Sequence, residues 1–166
     1  QSCTATTCTV TVPGGSGTVA VQASAFGEQS LDTPADDFTY LPAPSVTSIS
    51  PTSGPPGSTV TITGQGFVTS AGFTSIEFGN SSAQATCTSS TQCTAIVPGD
   101  EVGDVGVIVR TYGGATASLA FQILPSVTVV SPPVGPEAGA TVVTITGSGF
   151  DTAAGGTSIT FGSTPA

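Results

Sequence analysis

The feature that most constrains this chain is a repeat it carries once whole and once cut in two. PSVTSISP at residues 44–51 returns as PSVTVVSP at 125–132, TITGQGF at 61–67 returns as TITGSGF at 144–150, and TSIEFG at 74–79 returns as TSITFG at 157–162. Order and spacing are kept, apart from a two-residue insertion near Pro136. The rest of the first copy is a Cys87/Cys93 pair, VPG at 97–99, a Val-rich stretch and FQIL at 121–124, and its counterpart lies at the other end of the chain. There Cys3 and Cys8, VPG at 12–14, VAV at 19–21 and FTYL at 38–41 come in the same order. Reading on from Ala166 into Gln1 gives FGSTPA followed by QSCTATTCTVTVPG, a match to FGNSSAQATCTSSTQCTAIVPG in the intact copy. The expected organisation is one complete repeat, 44–124, flanked by the C-terminal half of a second at 1–43 and its N-terminal half at 125–166.

Val127, Val130, Val143, Ile145, Phe150, Ile159 and Phe161 sit at positions that are apolar in both copies, so they are expected to face a core. Without the missing half they would forfeit roughly 1.5–3 kcal/mol each, on the order of 10–20 kcal/mol together, comparable with the stability of a whole domain. The halves therefore need partners. They can close on each other within one chain, or residues 125–166 can be completed by residues 1–43 of the next unit, with Ala166 and Gln1 at the junction. The second arrangement is favoured, because the first must bring both ends together around an intervening complete domain. A head-to-tail contact that does not close on itself builds a filament. Whether the junction is a peptide bond in a longer array or a contact between subunits stays open at this level.

Composition narrows the chemistry. Arg110 is the single basic residue among 166, against ten acidic ones, and the net charge of −9 repels phosphate and argues against a nucleic-acid partner. His and Lys are absent, as are Met and Trp, which removes His-based acid–base catalysis, Schiff-base chemistry and most zinc sites. The expectation is a protein that is not an enzyme and carries no cofactor or metal. No apolar run approaches the ~18 residues of a membrane span. Gln1 starts the sequence without the basic and apolar stretch of a signal peptide, which implies a mature chain or a piece of one.

Abundant Thr and Val with 22 Gly and 13 Pro predict short strands joined by tight turns, an all-β fold. Val60 and Ile62 alternate with Thr59, Thr61 and Thr63 in the pattern of a half-buried strand. Val46 and Ile49 break that period, which predicts a bulge or a strand that switches sheets. The C-x4-C and C-x5-C spacings suit disulfides in hairpins better than metal ligation. With a two-residue turn at Ala5-Thr6, Thr4 pairs with Thr7 and Cys3 falls opposite Cys8, while Cys87 and Cys93 suit a three-residue loop at 89–91. Such small rings pin hairpin tips and imply an oxidising compartment.

Taken together, the elements P-x-V-x-x-I-x-P, V-x-I-x-G-x-G-F, I-x-F-G, V-P-G and a closing F-x-x-L resemble the IPT/TIG family of immunoglobulin-like domains, over all residues once the frame is wrapped. The resemblance implies seven-stranded β-sandwich repeats, one complete and one divided between two complementary half-domains. The cysteine pairs depart from the inter-sheet bridge of antibody domains and read as local reinforcement. Members of the family include DNA-binding domains of transcription factors, receptor ectodomains, and modules of bacterial secreted enzymes and surface proteins; acidity and cystines argue against the first.

Other motifs have plain readings. Gly64-Gln65-Gly66 lacks the third glycine and the helix of a nucleotide loop and is expected to serve a bulge or tight turn. Asp32, Asp36 and Asp37, and separately Asp100, Glu101 and Asp104, could supply some calcium oxygens, but solvated loop charge is the favoured reading. Tyr112, before Gly113-Gly114, is a candidate sugar-stacking residue, and Asn80-Ser81-Ser82 matches a glycosylation sequon. The function expected is a structural, extracellular repeat module, secreted or on the cell surface, whose partners are copies of itself arranged head to tail in a fibre, filament or adhesin stalk. The alternative is a ligand- or carbohydrate-binding accessory module of a secreted enzyme, with surface glycans as partners.

Overall fold

Alternation of Val60 and Ile62 with threonine puts both aliphatic side chains on one face of a strand and leaves hydroxyls on the other; both are fully buried. That strand and its neighbours come from a computed structural model, which describes residues 1–166. The chain divides into two compact units, Gln1–Pro42 and Ala43–Ala166. No helix is long and apolar enough to cross a membrane.

In the first unit, β1 (Ser2–Cys3) pairs with β2 (Cys8–Thr9), β3 (Gly17–Ala20) with β6 (Asp37–Tyr40), and β4 (Ser24–Ala25) with β5 (Glu28–Gln29), all antiparallel. In the second unit, residues 45–123 form a sandwich. One sheet takes the order β12 (Ala85–Ser89), β13 (Gln92–Ile96), β9 (Thr59–Gln65), β7 (Ser45–Ser50). The other takes the order β11 (Ser81–Ala83), β10 (Thr74–Phe78), β14 (Gly103–Thr111), β16 (Leu119–Ile123), β8 (Ser53–Gly54), with β15 (Gly114–Ala115) on the far end of β14. Of these ten strands, β8, β11 and β15 have two or three residues; the other seven are the strands expected of an immunoglobulin-like sandwich.

The remaining strands carry the start of the second copy. They are β17 (Ser126–Ser131) against β18 (Thr144–Ser148), and β19 (Thr160–Phe161) against β20 (Thr164–Pro165).

The core holds Ile49, Val60, Ile62, Phe67, Ile76, Phe78, Cys93, Ala95, Val97, Val107, Val109, Phe121 and Ile123, every one of them in the intact repeat. Phe78 and Phe121 meet edge to face across the sheet. The bulge predicted between Val46 and Ile49 is present, with the β7–β9 register shifting between Val46 and Ser48; β17–β18 shifts at the matching step, between Val127 and Val129.

The G-x-G-F element has a steric cause. A Cβ on Gly64 would collide with the Ser45 carbonyl oxygen and stand 2.6 Å from Phe67 Cζ, so the Phe67 ring can fold back over the strand only at glycine. Gly66 then turns the chain at φ 76°. Gly147 with Phe150 repeats the arrangement, followed by Gly149 at φ 71°.

Candidate functional site

The two cystines lie in hairpins. Cys3 is bonded to Cys8 with Cα atoms 4.0 Å apart, and the Thr4 N–H donates to the Thr7 carbonyl at 2.8 Å around the Ala5-Thr6 turn. Cys87 is bonded to Cys93 with Cα atoms 3.9 Å apart. Here the expected three-residue loop is corrected. Ser89 pairs with Gln92, the turn is Ser90-Thr91, and the extra residue is absorbed as a bulge at Thr88. A bulge lets the strands keep pairing almost to the turn. Cys93 is buried in the core, whereas Cys3 and Cys8 are exposed.

The acidic groups have separate placements. Asp32, Asp36 and Asp37 bring carboxylate oxygens within 4.8 Å of one another, and Asp36 Oδ1 accepts the Thr33 N–H at 3.0 Å. Glu101 is a structural acceptor. Its Oε1 takes the Asn80 N–H at 2.8 Å and the Ser81 hydroxyl at 3.3 Å, holding the β10–β11 turn in which the sequon residue Asn80 is exposed. Arg110 Nε donates to Glu77 Oε2 at 2.9 Å on the solvent face. Tyr112 is exposed at the β14–β15 turn and meets Phe73 edge to face at 5.0 Å, a partner that the sequence alone did not single out.

The extended feature of the molecule is the exposed apolar surface of residues 1–43 and 125–166. No side chain in residues 1–43 or 125–166 is buried. Val127 and Phe161 are 55% and 53% exposed, while Phe78, which holds the position of Phe161 in the intact copy, is fully buried. On the other half, Val10, Val12, Val19, Val21, Phe38 and Leu41 are exposed. Residues 130–143 and Phe161 border an open apolar pocket of about 360 Å³ lined by Val130, Gly135, Thr141, Val143 and Phe161 among others.

Each of these segments nevertheless repeats local pairing found in residues 44–124. Phe161 faces Thr164 as Phe78 faces Ser81, and the Ala166 N–H donates to the Ile159 carbonyl where Ala83 pairs with Ile76. Gly17 at φ 70° faces Tyr40 as Gly103 at φ 70° faces Ile123, and Val19 faces Phe38 as Val105 faces Phe121. The Ser30 N–H donates to the Ala23 carbonyl at 2.8 Å, as the Thr116 N–H does to the Val109 carbonyl at 2.9 Å. These registers make Val19 and Val21 the counterparts of Val105 and Val107, a correspondence that unequal loop lengths hide in the sequence.

A paired pattern of buried aliphatics, glycine-gated phenylalanines and two facing sheets defines an immunoglobulin-like sandwich. The chain belongs to the IPT/TIG domain family, whose model matches residues 44–123 and again 125–166. No curated protein matches it. Among solved structures it is similar to the gamma-CGTase of an alkalophilic Bacillus clarkii, at 21% identity and TM-score 0.46, over 61% of this chain and 15% of that one. It is also similar to SGBP-B from a complex xyloglucan utilization locus in Bacteroides uniformis, at 20% identity and TM-score 0.43, over 74% of this chain and 44% of that one. An auxiliary nutrient binding protein from Bacteroides ovatus matches at 22% identity and TM-score 0.44, over 57% and 24%. The chain thus spans less than half the length of each of these proteins, and at such scores the likenesses carry no functional argument.

Proposed function

We propose that the chain is a structural, extracellular repeat module whose IPT/TIG domains run head to tail into a surface fibre, filament or adhesin stalk. In this reading residues 125–166 of one unit and residues 1–43 of the next make one domain, with Ala166 and Gln1 at the junction. The observation that carries it is the exposure of apolar side chains at positions whose equivalents in residues 44–124 are buried. Burying them is worth on the order of 10–20 kcal/mol before the costs of association, a range that brackets the roughly 12 kcal/mol of a nanomolar complex. The cystines support an oxidising, extracellular setting. Electron microscopy and sedimentation at rising concentration test the reading: head-to-tail oligomers or filaments are the expected result, and a monodisperse short monomer at high concentration would overturn it.

A second reading rests on the exposed Tyr112 and its Phe73 partner, a small aromatic surface of the kind that stacks on sugar rings. It makes the chain a ligand- or carbohydrate-binding accessory module of a secreted enzyme. Glycan-array binding that disappears in Tyr112→Ala is its expected signature.

A further inference from the structure

In the intact domain the ring of Phe121 occupies a defined seat. It meets Phe78 edge to face with ring centroids 5.2 Å apart, and a Cβ built on Gly54 would stand 3.8 Å from its Cζ. Backbone bonds fix the strand that carries it, with the Gln122 N–H donating to the Thr52 carbonyl and the Leu124 N–H to the Gly54 carbonyl, both at 3.0 Å. In the divided copy the residues equivalent to Ile49, Gly54, Ser58, Val60 and Phe78 are Val130, Gly135, Thr141, Val143 and Phe161. These five line the open pocket of about 360 Å³. Gly135 meets the Thr141 hydroxyl as Gly54 meets that of Ser58, so the walls of the seat are already formed on this side. The residue equivalent to Phe121 is Phe38, on β6 opposite Val19, and it is 38% exposed.

We infer that the pocket beside Phe161 is the socket for Phe38 of a second copy of this chain. The inference rests on the head-to-tail reading above and gives it a specific contact. Phe38 enters edge to face against Phe161, and the segment 133–135, the counterpart of Thr52–Gly54 and part of no strand in this chain, receives β6 of the incoming copy. By the register of the intact domain, the Thr39 N–H donates to the Pro133 carbonyl and the Leu41 N–H to the Gly135 carbonyl. Glycine at 135 suits the wall because a Cβ there would stand 2.6 Å from the Thr141 hydroxyl, as one on Gly54 would from that of Ser58. The occupant is a copy of this chain and not an arbitrary apolar ligand, because the socket and the plug are the same pair of positions that the intact domain joins within itself.

Complementation between two full-length variants tests this. Phe38→Ala leaves the socket intact and removes the plug; Val130→Trp leaves the plug and fills the socket. Sedimentation should show each variant alone self-associating about 100-fold or more weakly than the wild type. An equimolar mixture should recover one junction and stop at heterodimers, while Phe26→Ala, on an exposed hairpin tip, should associate as wild type. The thermal transition of residues 44–124 reports that each variant is folded. If the wild type associates and either Phe38→Ala or Val130→Trp keeps its affinity, the socket is wrong and the head-to-tail reading stands. A mixture that stays monomeric while the wild type associates has the same meaning. If the wild type itself remains monomeric at all concentrations, both are overturned.

Discussion

Phe78 and Phe121 meet edge to face at the centre of the intact domain with ring centroids 5.2 Å apart, while their sequence counterparts Phe161 and Phe38 are both exposed. One sequence motif thus occurs in one chain in its buried and its open form, and stability measurements should separate them. Phe78→Ala or Phe121→Ala should destabilise the domain by about 3–5 kcal/mol in urea denaturation. Phe161→Ala, in a solution dilute enough to keep copies apart, should change the same transition by less than about 0.5 kcal/mol.

The glycine under the Phe67 ring should be irreplaceable. Gly64→Ala places a methyl group against the Ser45 carbonyl and the Phe67 ring, and overpacking of this kind should cost about 1–3 kcal/mol or more. Gly66→Ala, strained by its positive φ, should cost about 1 kcal/mol. Melting temperatures of the two variants check both values, and a neutral Gly64→Ala would contradict the close approach.

The two cystines should differ in reactivity. Cys3 and Cys8 are exposed, whereas Cys93 lies in the core, so mild reductant should open the first bridge well before the second. Timed alkylation with mass spectrometry reads the order. Because both rings are small, each should contribute less than the roughly 3 kcal/mol expected for a 15-residue loop, and full reduction should loosen the hairpins while the global thermal transition persists.

Glu101 should act as a turn holder. Glu101→Ala removes the acceptor for the Asn80 amide and the Ser81 hydroxyl and should cost about 1 kcal/mol. Hydrogen exchange at Asn80 should accelerate while exchange in β9 stays slow. Uniform acceleration across the sandwich would point to a wider role.

Arg110, the single basic side chain, should matter little for stability. Its pair with Glu77 lies at the surface, where such bridges contribute at most about 1 kcal/mol. Arg110→Ala should leave the melting temperature nearly unchanged, with added salt making no difference to that outcome.

Much of the fold was legible in the residues because its causes are local. Alternating Val60 and Ile62 announce a strand face, the interrupted spacing of Val46 and Ile49 announces its bulge, and the short cysteine spacings announce hairpins. The Ser90-Thr91 turn is not legible in this way, because loop length alone does not say whether an extra residue lengthens the turn or bulges from the strand. Nor is Phe73 beside Tyr112 legible, because the two are far apart in sequence and meet only where β10 pairs with β14.

By itself the sequence determined the repeat, the recurrence of its motifs at both ends of the chain, and which positions are apolar in both copies. Only the tertiary structure decided which of those positions are covered. Burial depends on a second sheet lying across the first, and residues 44–124 supply both sheets to each other. Residues 125–166 keep their strands, their bulge and their glycine turns, since each of these is set by neighbours in the chain or in one hairpin. Their apolar face stays open around Phe161, since the hydrophobic effect acts only where a partner surface displaces water.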